Sequence, residues 1–352
     1  MRILSNTQRP LAVFEAWIRA REYRKIHGGP LLIIDEHGNP VLYKYGKKKG
    51  EPKKFRLVIV VPGGGMSCVV SAGEFEELQE QGYANDAIGY FPISGGLANV
   101  LAFACGKSHR VRSFYEELPK QGFISLFRML DPRMLLVDLV IDPMLEMLDY
   151  RRLRECQAEI YTAVTEWLTG RAWVVRIPVE EDSSQWRKKV RAALTLPKMS
   201  PPVELTGIIP GEPNRKALFC DGAVGMPLPL GEAIKLMRPT HVLVLAARDD
   251  LEPAESVTFS WITQLGLSWG VPPATKKGTL AIDDGTNRAF ARMCEIHPRI
   301  ECTALIPKSS ISLFESNPAL IHAAGERGKE LMHECLEQAQ KAVNRHRHDL
   351  VT

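Results

Sequence analysis

The sequence predicts an α/β fold with a mostly parallel central sheet, and three observations support this prediction. An apolar run at 56–61 has the character of a buried strand and leads into three glycines, Gly63–Gly65. A second apolar run at 87–93 ends just before Ser94. An amphipathic helix at 71–83 lies between the two runs. This order forms a βαβ unit, so the two strands should lie parallel and adjacent.

The other elements follow from periodicity and composition. Three further apolar runs predict strands, at 172–179, 241–247 and 300–307. Four segments predict helices, at 10–26, 95–107, 111–170 and 319–343. In the helix at 71–83, Ser71 has the character of an N-cap, and Glu74 stands where a capping-box partner would be.

Composition restricts the class of protein. The chain has 352 residues, of which 45% are apolar and 24% charged, values typical of a globular protein. A net charge of +4 is too small to indicate a nucleic-acid partner. The seven cysteines are scattered and form no CxxC pair, which argues against a disulfide framework and a zinc site and favours a reducing compartment. No metal or cofactor is expected.

We expect the chain to divide into three parts. Residues 1–54 are expected to be an N-terminal extension with a helix, short strands and a basic turn, 55–345 the main domain, and 346–352 a basic tail. The lysine-rich stretch 43–56 holds the single acid Glu51. It is either a solvated turn or a patch that meets anionic lipid head groups. Without a signal segment or spanning run, we expect a cytoplasmic protein that touches membranes from the water side.

Three consecutive glycines after a strand indicate that bare backbone is needed there. A P-loop requires a lysine after the last glycine, but Met66, Ser67 and Cys68 follow. A dinucleotide-binding fingerprint requires glycine at the position of Cys68 and an acid about 20 residues further on. An oxyanion hole requires only backbone N–H groups at a strand-to-helix turn and a nearby nucleophile.

The candidate nucleophile is Ser94, which follows a strand and is itself followed by Gly95 and Gly96. A serine at such a sharp turn needs small neighbours. A candidate carboxylate, Asp221, stands in an Asp-Gly pair that ends another apolar run. Each motif alone is more often an ordinary turn.

Together these motifs resemble the patatin-like phospholipase family. The glycine triplet, the serine turn one helix later and the distant "DGAVGMPLP" segment carry the resemblance, which extends over about 55–343. "SGGLAN", with Asn99, and "VRAALTLP" are similar to further family segments. The resemblance implies a three-layer α/β/α patatin-like fold.

The resemblance also implies roles for individual residues. Ser94 would be the nucleophile and Asp221 its general base, in a dyad without histidine. Backbone N–H groups of Gly63, Gly64, Gly65, Met66 and Gly95 would form the oxyanion hole. The implied substrate is a fatty-acyl ester of a lipid, and the implied activity is like that of a phospholipase A or lysophospholipase. An ordinary carboxylate is a weak base for a hydroxyl group, so such a site would depend strongly on the oxyanion donors.

Three positions depart from the family pattern. Pro92 replaces a glycine two residues before the serine, and Ser67 and Cys68 replace a basic residue and a glycine after the triplet. Two alternatives therefore remain open. One is a catalytically impaired patatin-like scaffold that binds lipid or protein. The other is an α/β-hydrolase with a Ser-Asp-His triad, for which the chain order offers His241, His297 or His322.

Overall fold

The computed structural model describes residues 2–120, 141, 144, 146, 148–177, 183–197, 200–248, 270–293, 295–296, 299–308 and 311–349. Most of the Leu- and Met-rich stretch 123–148, which we predicted to be helical, lies outside these ranges. His297 and residues 350–352 also lie outside them.

The described residues form nine strands. They are β1 (Arg2–Ser5), β2 (Leu57–Val61), β3 (Ala87–Pro92), β4 (Glu159–Glu166), β5 (Ala172–Arg176), β6 (Val203–Thr206), β7 (Lys216–Asp221), β8 (His241–Leu245) and β9 (Glu301–Ile306).

The described helices lie between and after these strands. They are α1 (Ala12–His27), α2 (Val69–Glu80), α3 (Gly95–Ala104), α4 (Ser108–Glu117), α5 (Tyr150–Glu155), α6 (Ser183–Leu194), α7 (Leu230–Met237), α8 (Pro273–Leu280), α9 (Ile282–Met293) and α10 (Pro318–Asp349). Two short 3-10 turns, Gly65–Cys68 and Gly222–Val224, follow β2 and β7.

The strands form one sheet in the order β1-β9-β8-β2-β3-β4-β7-β6, and β5 also pairs with β4. The five central strands, β9 to β4, are parallel, whereas β1, β5, β6 and β7 add antiparallel pairs. The pairing of β2 with β3 confirms the predicted βαβ unit. The mostly parallel centre of the sheet confirms the predicted α/β class.

Helices cover both faces of this sheet. In β2, Leu57, Ile59 and Val61 belong to the core on the side of α1, α2, α3 and α10. Val58 and Val60 belong to the opposite core, with side chains from α7 and α9. Because both faces are buried, the central strands are apolar throughout rather than alternating.

Two predictions about individual elements were wrong. Residues 159–166 were expected to continue a helix, but they form β4. The β-branched residues Ile160, Thr162 and Val164 occupy alternate positions there, which suits a strand. The predicted capping box at Ser71 and Glu74 is also absent, because α2 begins earlier, at Val69.

The N-terminal segment contributes to the sheet. β1 pairs antiparallel with β9 and so covers that edge. Residues 31–55 form a small meander joined by three isolated bridges. None of the helices in the described ranges is long and apolar enough to cross a bilayer.

Candidate functional site

Ser94 occupies a sharp turn between β3 and α3. Its backbone has φ 53° and ψ −131°, in the left-handed half of the Ramachandran plot. Among the described non-glycine residues, only Arg238 shares a positive φ. Such a conformation costs about 1–3 kcal/mol and persists where the surrounding structure enforces it. It is the backbone shape that a nucleophilic serine adopts when its hydroxyl projects from a strand-to-helix turn.

Glycine is required around this turn because the backbone segments approach closely. A Cβ atom on Gly63 would lie 2.7 Å from the Cβ of Ser94. One on Gly95 would lie 3.0 Å from Cys68 Sγ, and one on Gly96 would lie 2.9 Å from the Val61 carbonyl oxygen. The glycine-rich loop therefore packs directly on the serine turn.

β4 brings Asp221 to Ser94. At its start, β4 pairs with β3 through Ile160 and Tyr90, and at its end it pairs with β7 through Val164 and Asp221. β3 and β7 run in opposite directions along β4, so their carboxyl ends approach each other. The structure thus brings the predicted nucleophile and base together.

Asp221 is fully buried. Its Oδ1 accepts the Ala223 N–H at 2.8 Å, whereas Oδ2 forms no aligned hydrogen bond with any described residue. Burial raises the pKa of Asp221 to about 7, although the Ser94 hydroxyl and the Ala223 amide both act to lower it. The Ser94 hydroxyl therefore lies close enough to Asp221 to favour its ionised form, without an aligned hydrogen bond to Oδ2.

Two threonines of β4 hold the two loops in place. Thr162 Oγ1 donates to the Pro92 carbonyl oxygen at 2.8 Å, just before Ser94. Thr165 Oγ1 accepts the Gly225 N–H at 3.2 Å, just after Asp221. Both threonines are fully buried. No sequence motif pointed to these threonines, because the composition of this segment favoured a helix.

The structure also explains how Pro92 is accommodated in a central strand. The next residue, Ile93, donates its N–H to Val61 of β2. Because neighbouring residues of a strand direct their backbone groups to opposite sides, the nitrogen of Pro92 faces β4. The backbone pairing of β3 with β4 has already ended at Tyr90, so the missing N–H removes no bond of the sheet.

The backbone amides of the glycine loop fall into two groups. Within the described part of the chain, the N–H groups of Gly63, Gly64, Gly65 and Gly95 donate no hydrogen bond. Met66, predicted as a fifth donor, gives its N–H to the Leu313 carbonyl oxygen at 3.0 Å. The Met66 amide is therefore engaged, whereas the other four predicted donors have no acceptor among the described residues.

Asn99 and Tyr115 brace the same region. Asn99 Nδ2 donates to the Cys68 carbonyl oxygen at 2.7 Å and to Ser71 Oγ at 2.8 Å, which ties α3 to the first turn of α2. The Tyr115 hydroxyl donates to the Gly95 carbonyl oxygen at 3.2 Å. The "SGGLAN" motif pointed to Asn99, but no local pattern pointed to Tyr115.

Neither described candidate histidine contacts Asp221. His241 begins β8 and pairs with Thr240 and Glu301, at the end of the sheet opposite to Ser94. His322 is exposed and pairs with Glu116. Across the described ranges, no three His, Cys, Asp or Glu side chains are grouped closely enough to hold a metal ion.

Comparisons with known proteins gave structural matches only. No family model and no curated protein sequence matches the chain. VipD from Legionella pneumophila aligns over 82% of this chain and 68% of its own, with 13% identity and a TM-score of 0.40. Human GIVD cytosolic phospholipase A2, in complex with methyl gamma-linolenyl fluorophosphonate, aligns over 96% of this chain, with 11% identity and a TM-score of 0.44. The chain spans 63% of that enzyme's length.

Proposed function

We propose that this chain is a serine-type carboxylic ester hydrolase that acts on fatty-acyl esters of lipids. One arrangement carries the proposal: Ser94, held at φ 53°, lies beside the buried Asp221, whose Oδ2 has no aligned hydrogen bond from any described residue. The pKa of Asp221, raised to about 7, makes this carboxylate a better base than an ordinary one.

The reaction has two steps, both served by the same carboxylate. In the first, Ser94 Oγ bonds to the ester carbonyl carbon while Asp221 takes the hydroxyl proton. The carbon–oxygen ester bond then breaks, and the proton passes to the departing alkoxide. In the second, Asp221 takes a proton from a water molecule, whose oxygen bonds to the acyl carbon. The bond between that carbon and Ser94 Oγ then breaks, the proton passes to Oγ, and the fatty acid leaves.

Negative charge that develops on the carbonyl oxygen needs hydrogen-bond donors. We assign this role to the free amides of Gly63, Gly64, Gly65 and Gly95, and we leave out Met66 because Leu313 holds its N–H. Each such donor is worth about 3–4 kcal/mol in mutational terms.

The lipid part of the proposal comes from the family resemblance of the sequence motifs. It makes a phospholipase A or lysophospholipase-like activity the specific expectation. Acyl-chain length tests this part separately, since a lipid hydrolase should gain in kcat/KM from a C4 to a C12 acyl ester, whereas a general esterase should not.

The test of the dyad is fluorophosphonate labelling together with acyl-ester turnover. We expect both to disappear in Ser94→Ala and turnover to fall by about 100- to 10,000-fold in Asp221→Asn, the range that a general base contributes. Ser113→Ala is the matched control, because Ser113 is exposed and its hydroxyl donates to the His109 carbonyl oxygen of its own helix, α4. Wild-type turnover in Ser94→Ala would disprove the proposal.

A second candidate, a scaffold that binds an anionic surface, is favoured by the basic segment 43–56. Lys47, Lys48 and Lys49 are exposed there, and Tyr45 at the same tip is 87% exposed. Lysines beside an exposed aromatic side chain suit the head-group region of an anionic membrane. Vesicle binding by a chain that hydrolyses no ester would support this candidate.

A further inference from the structure

We propose that Ser67 is a positioning residue for the oxyanion hole, a role that rests on the hydrolase function proposed above. Ser67 stands at a position where the family that the sequence motifs resemble has a basic residue. Its hydroxyl is fully buried and lies in the 3-10 turn that follows the glycines.

Ser67 holds the carbonyl group of Gly64 with two hydrogen bonds. Its Oγ donates to the Gly64 carbonyl oxygen at 2.6 Å, and its backbone N–H donates to the same oxygen at 3.0 Å. Two donors on one oxygen fix the plane of the peptide bond between Gly64 and Gly65.

Fixing that carbonyl also fixes the neighbouring amide. In a trans peptide the C=O and the N–H that follows it point in opposite directions. With the oxygen of Gly64 turned toward Ser67, the N–H of Gly65 must point away from it. That N–H donates no hydrogen bond within the described part of the chain, so it is available to a developing oxyanion.

The next amide is directed elsewhere. Met66 gives its N–H to Leu313, which also lies close to Gly65: a Cβ atom on Gly65 would be 2.7 Å from the Leu313 carbonyl oxygen. Two successive peptide groups of the loop are thus held in different ways. Leu313 accepts the N–H of Met66, whereas Ser67 binds the carbonyl oxygen of Gly64 and leaves the N–H of Gly65 without an acceptor among the described residues.

Gly64 and Ser67 form a matched pair. A Cβ atom on Gly64 would lie 2.5 Å from Ser67 Oγ and 2.9 Å from the Cβ of Ala247. The short bond from the Ser67 hydroxyl is therefore possible only because residue 64 is glycine. The absence of a side chain at Gly64 therefore makes room for the hydrogen bond from Ser67 as well as for an oxyanion near the loop.

The experiment compares Ser67→Ala with wild type in steady-state hydrolysis of a soluble short-chain acyl ester. We expect kcat to fall by about 10- to 100-fold with KM within about twofold, because the lost interaction acts in the transition state and not in substrate binding. The apparent pKa of the pH profile should stay near that of wild type, since the Ser67 hydroxyl donates to Gly64, whereas burial, Ser94 and Ala223 set the pKa of Asp221. Ser67→Cys, which keeps a weak donor on a larger atom, should fall between the two.

Thr303→Val is the control for simple loss of a buried hydroxyl. Thr303 is fully buried in β9 and donates to the Pro10 carbonyl oxygen at 3.2 Å, away from the site. Its variant should lose a similar amount of thermal stability and keep its kcat. If Ser67→Ala keeps wild-type kcat, or if kcat falls only in proportion to folded protein in both Ser67 variants, the positioning role is disproved. The hydrolase proposal fails separately, through full activity of Ser94→Ala.

Discussion

Burial changes what Asp221 can do as a base. An exposed aspartate at neutral pH is fully ionised but too weakly basic to take much of a hydroxyl proton. Removal from water disfavours the charged form and raises the pKa of Asp221 to about 7. From the sequence alone we expected a carboxylate of ordinary basicity. Its depth of burial, which raises the pKa, depends on how β4 and β7 pack and cannot be seen in the sequence.

This pKa predicts the pH dependence of activity. Since the base must be ionised, kcat/KM should rise with pH and level off above the pKa of Asp221. We expect it to be roughly tenfold lower at pH 6 than on the plateau. Initial rates on a soluble ester between pH 5 and pH 9 measure this, and a flat profile over that interval would contradict the assignment of Asp221.

The same shift predicts a stability effect in Asp221→Asn. A carboxyl group whose pKa is raised in the folded state stabilises the fold fully below its unfolded value, near 4. That stability is lost as pH rises to about 7. Asparagine does not ionise, so the variant should gain up to about 4 kcal/mol over wild type at pH 8 and almost nothing at pH 4. Urea unfolding at the two pH values tests this, and an equal difference at both would refute it.

The close crossing of helices α2 and α10 helps to fix the position of the glycine loop. Backbone meets backbone there: a Cβ atom on Gly73 would collide with the Gly325 carbonyl oxygen, and one on Gly328 with the Val70 carbonyl oxygen. Because α2 begins directly after the turn Gly65–Cys68, the position of this helix sets the position of the loop.

Two glycine-to-alanine changes in helices should have opposite effects, because one glycine lies at this crossing and the other faces open space. Gly73→Ala should destabilise the protein by about 1–3 kcal/mol, since neither backbone can yield easily. Gly231→Ala in α7 should stabilise it by up to about 1 kcal/mol, because nothing lies within 4 Å of the added methyl group and alanine favours helix. Thermal melts of both variants provide the measurement, and the same sign in both would contradict this account.

Elements with a strong local pattern were predictable from the sequence. α1, β2, β3, α3 and β8 appear where periodicity and apolar runs placed them. β4 was missed because it follows a long Leu- and Met-rich stretch whose composition favours helix, and its pairing is set by distant strands. The capping box failed because the turn Gly65–Cys68 leads directly into α2, so the helix starts before Ser71 and Glu74 becomes buried.

At the scale of the whole molecule, the basic segment joins the sheet at the end opposite to the candidate site. Segment 43–56 runs into the amino end of β2, where Phe55 stacks on His241 with ring centroids 4.3 Å apart. Ser94 lies beyond the carboxyl ends of the same parallel strands. A membrane bound by the lysines of this segment therefore does not, through that contact alone, bring its lipids to Ser94.

This separation predicts that charge binding and catalysis are independent. Reversal of Lys47, Lys48 and Lys49 to glutamate should reduce binding to anionic vesicles at least tenfold, because each cation contributes about 1 kcal/mol at a charged surface. Turnover of a soluble ester should stay within twofold of wild type. Vesicle co-sedimentation and ester assays on the same preparation test both halves. Unchanged vesicle binding would show that the segment is only a solvated turn.

Much of the candidate site was predictable from motifs, and its framework was not. Ser94, Asp221 and the glycines stand in local patterns that demand a tight turn or bare backbone. The contacts of Met66 with Leu313 and of Thr162 with Pro92 join distant parts of the chain through backbone atoms. Such contacts leave no signature in a single sequence, so only coordinates could separate the engaged amide from the free ones.

The pairing of β4 with both β3 and β7 also has a kinetic consequence. The parallel unit that carries Ser94 is built from residues close in sequence, whereas β7 delivers its aspartate only after a much longer loop has closed. A growing polypeptide would therefore hold its nucleophile for some time without a base. We expect chemical competence to appear only once β7 has joined the sheet, later than the parallel unit that carries the nucleophile.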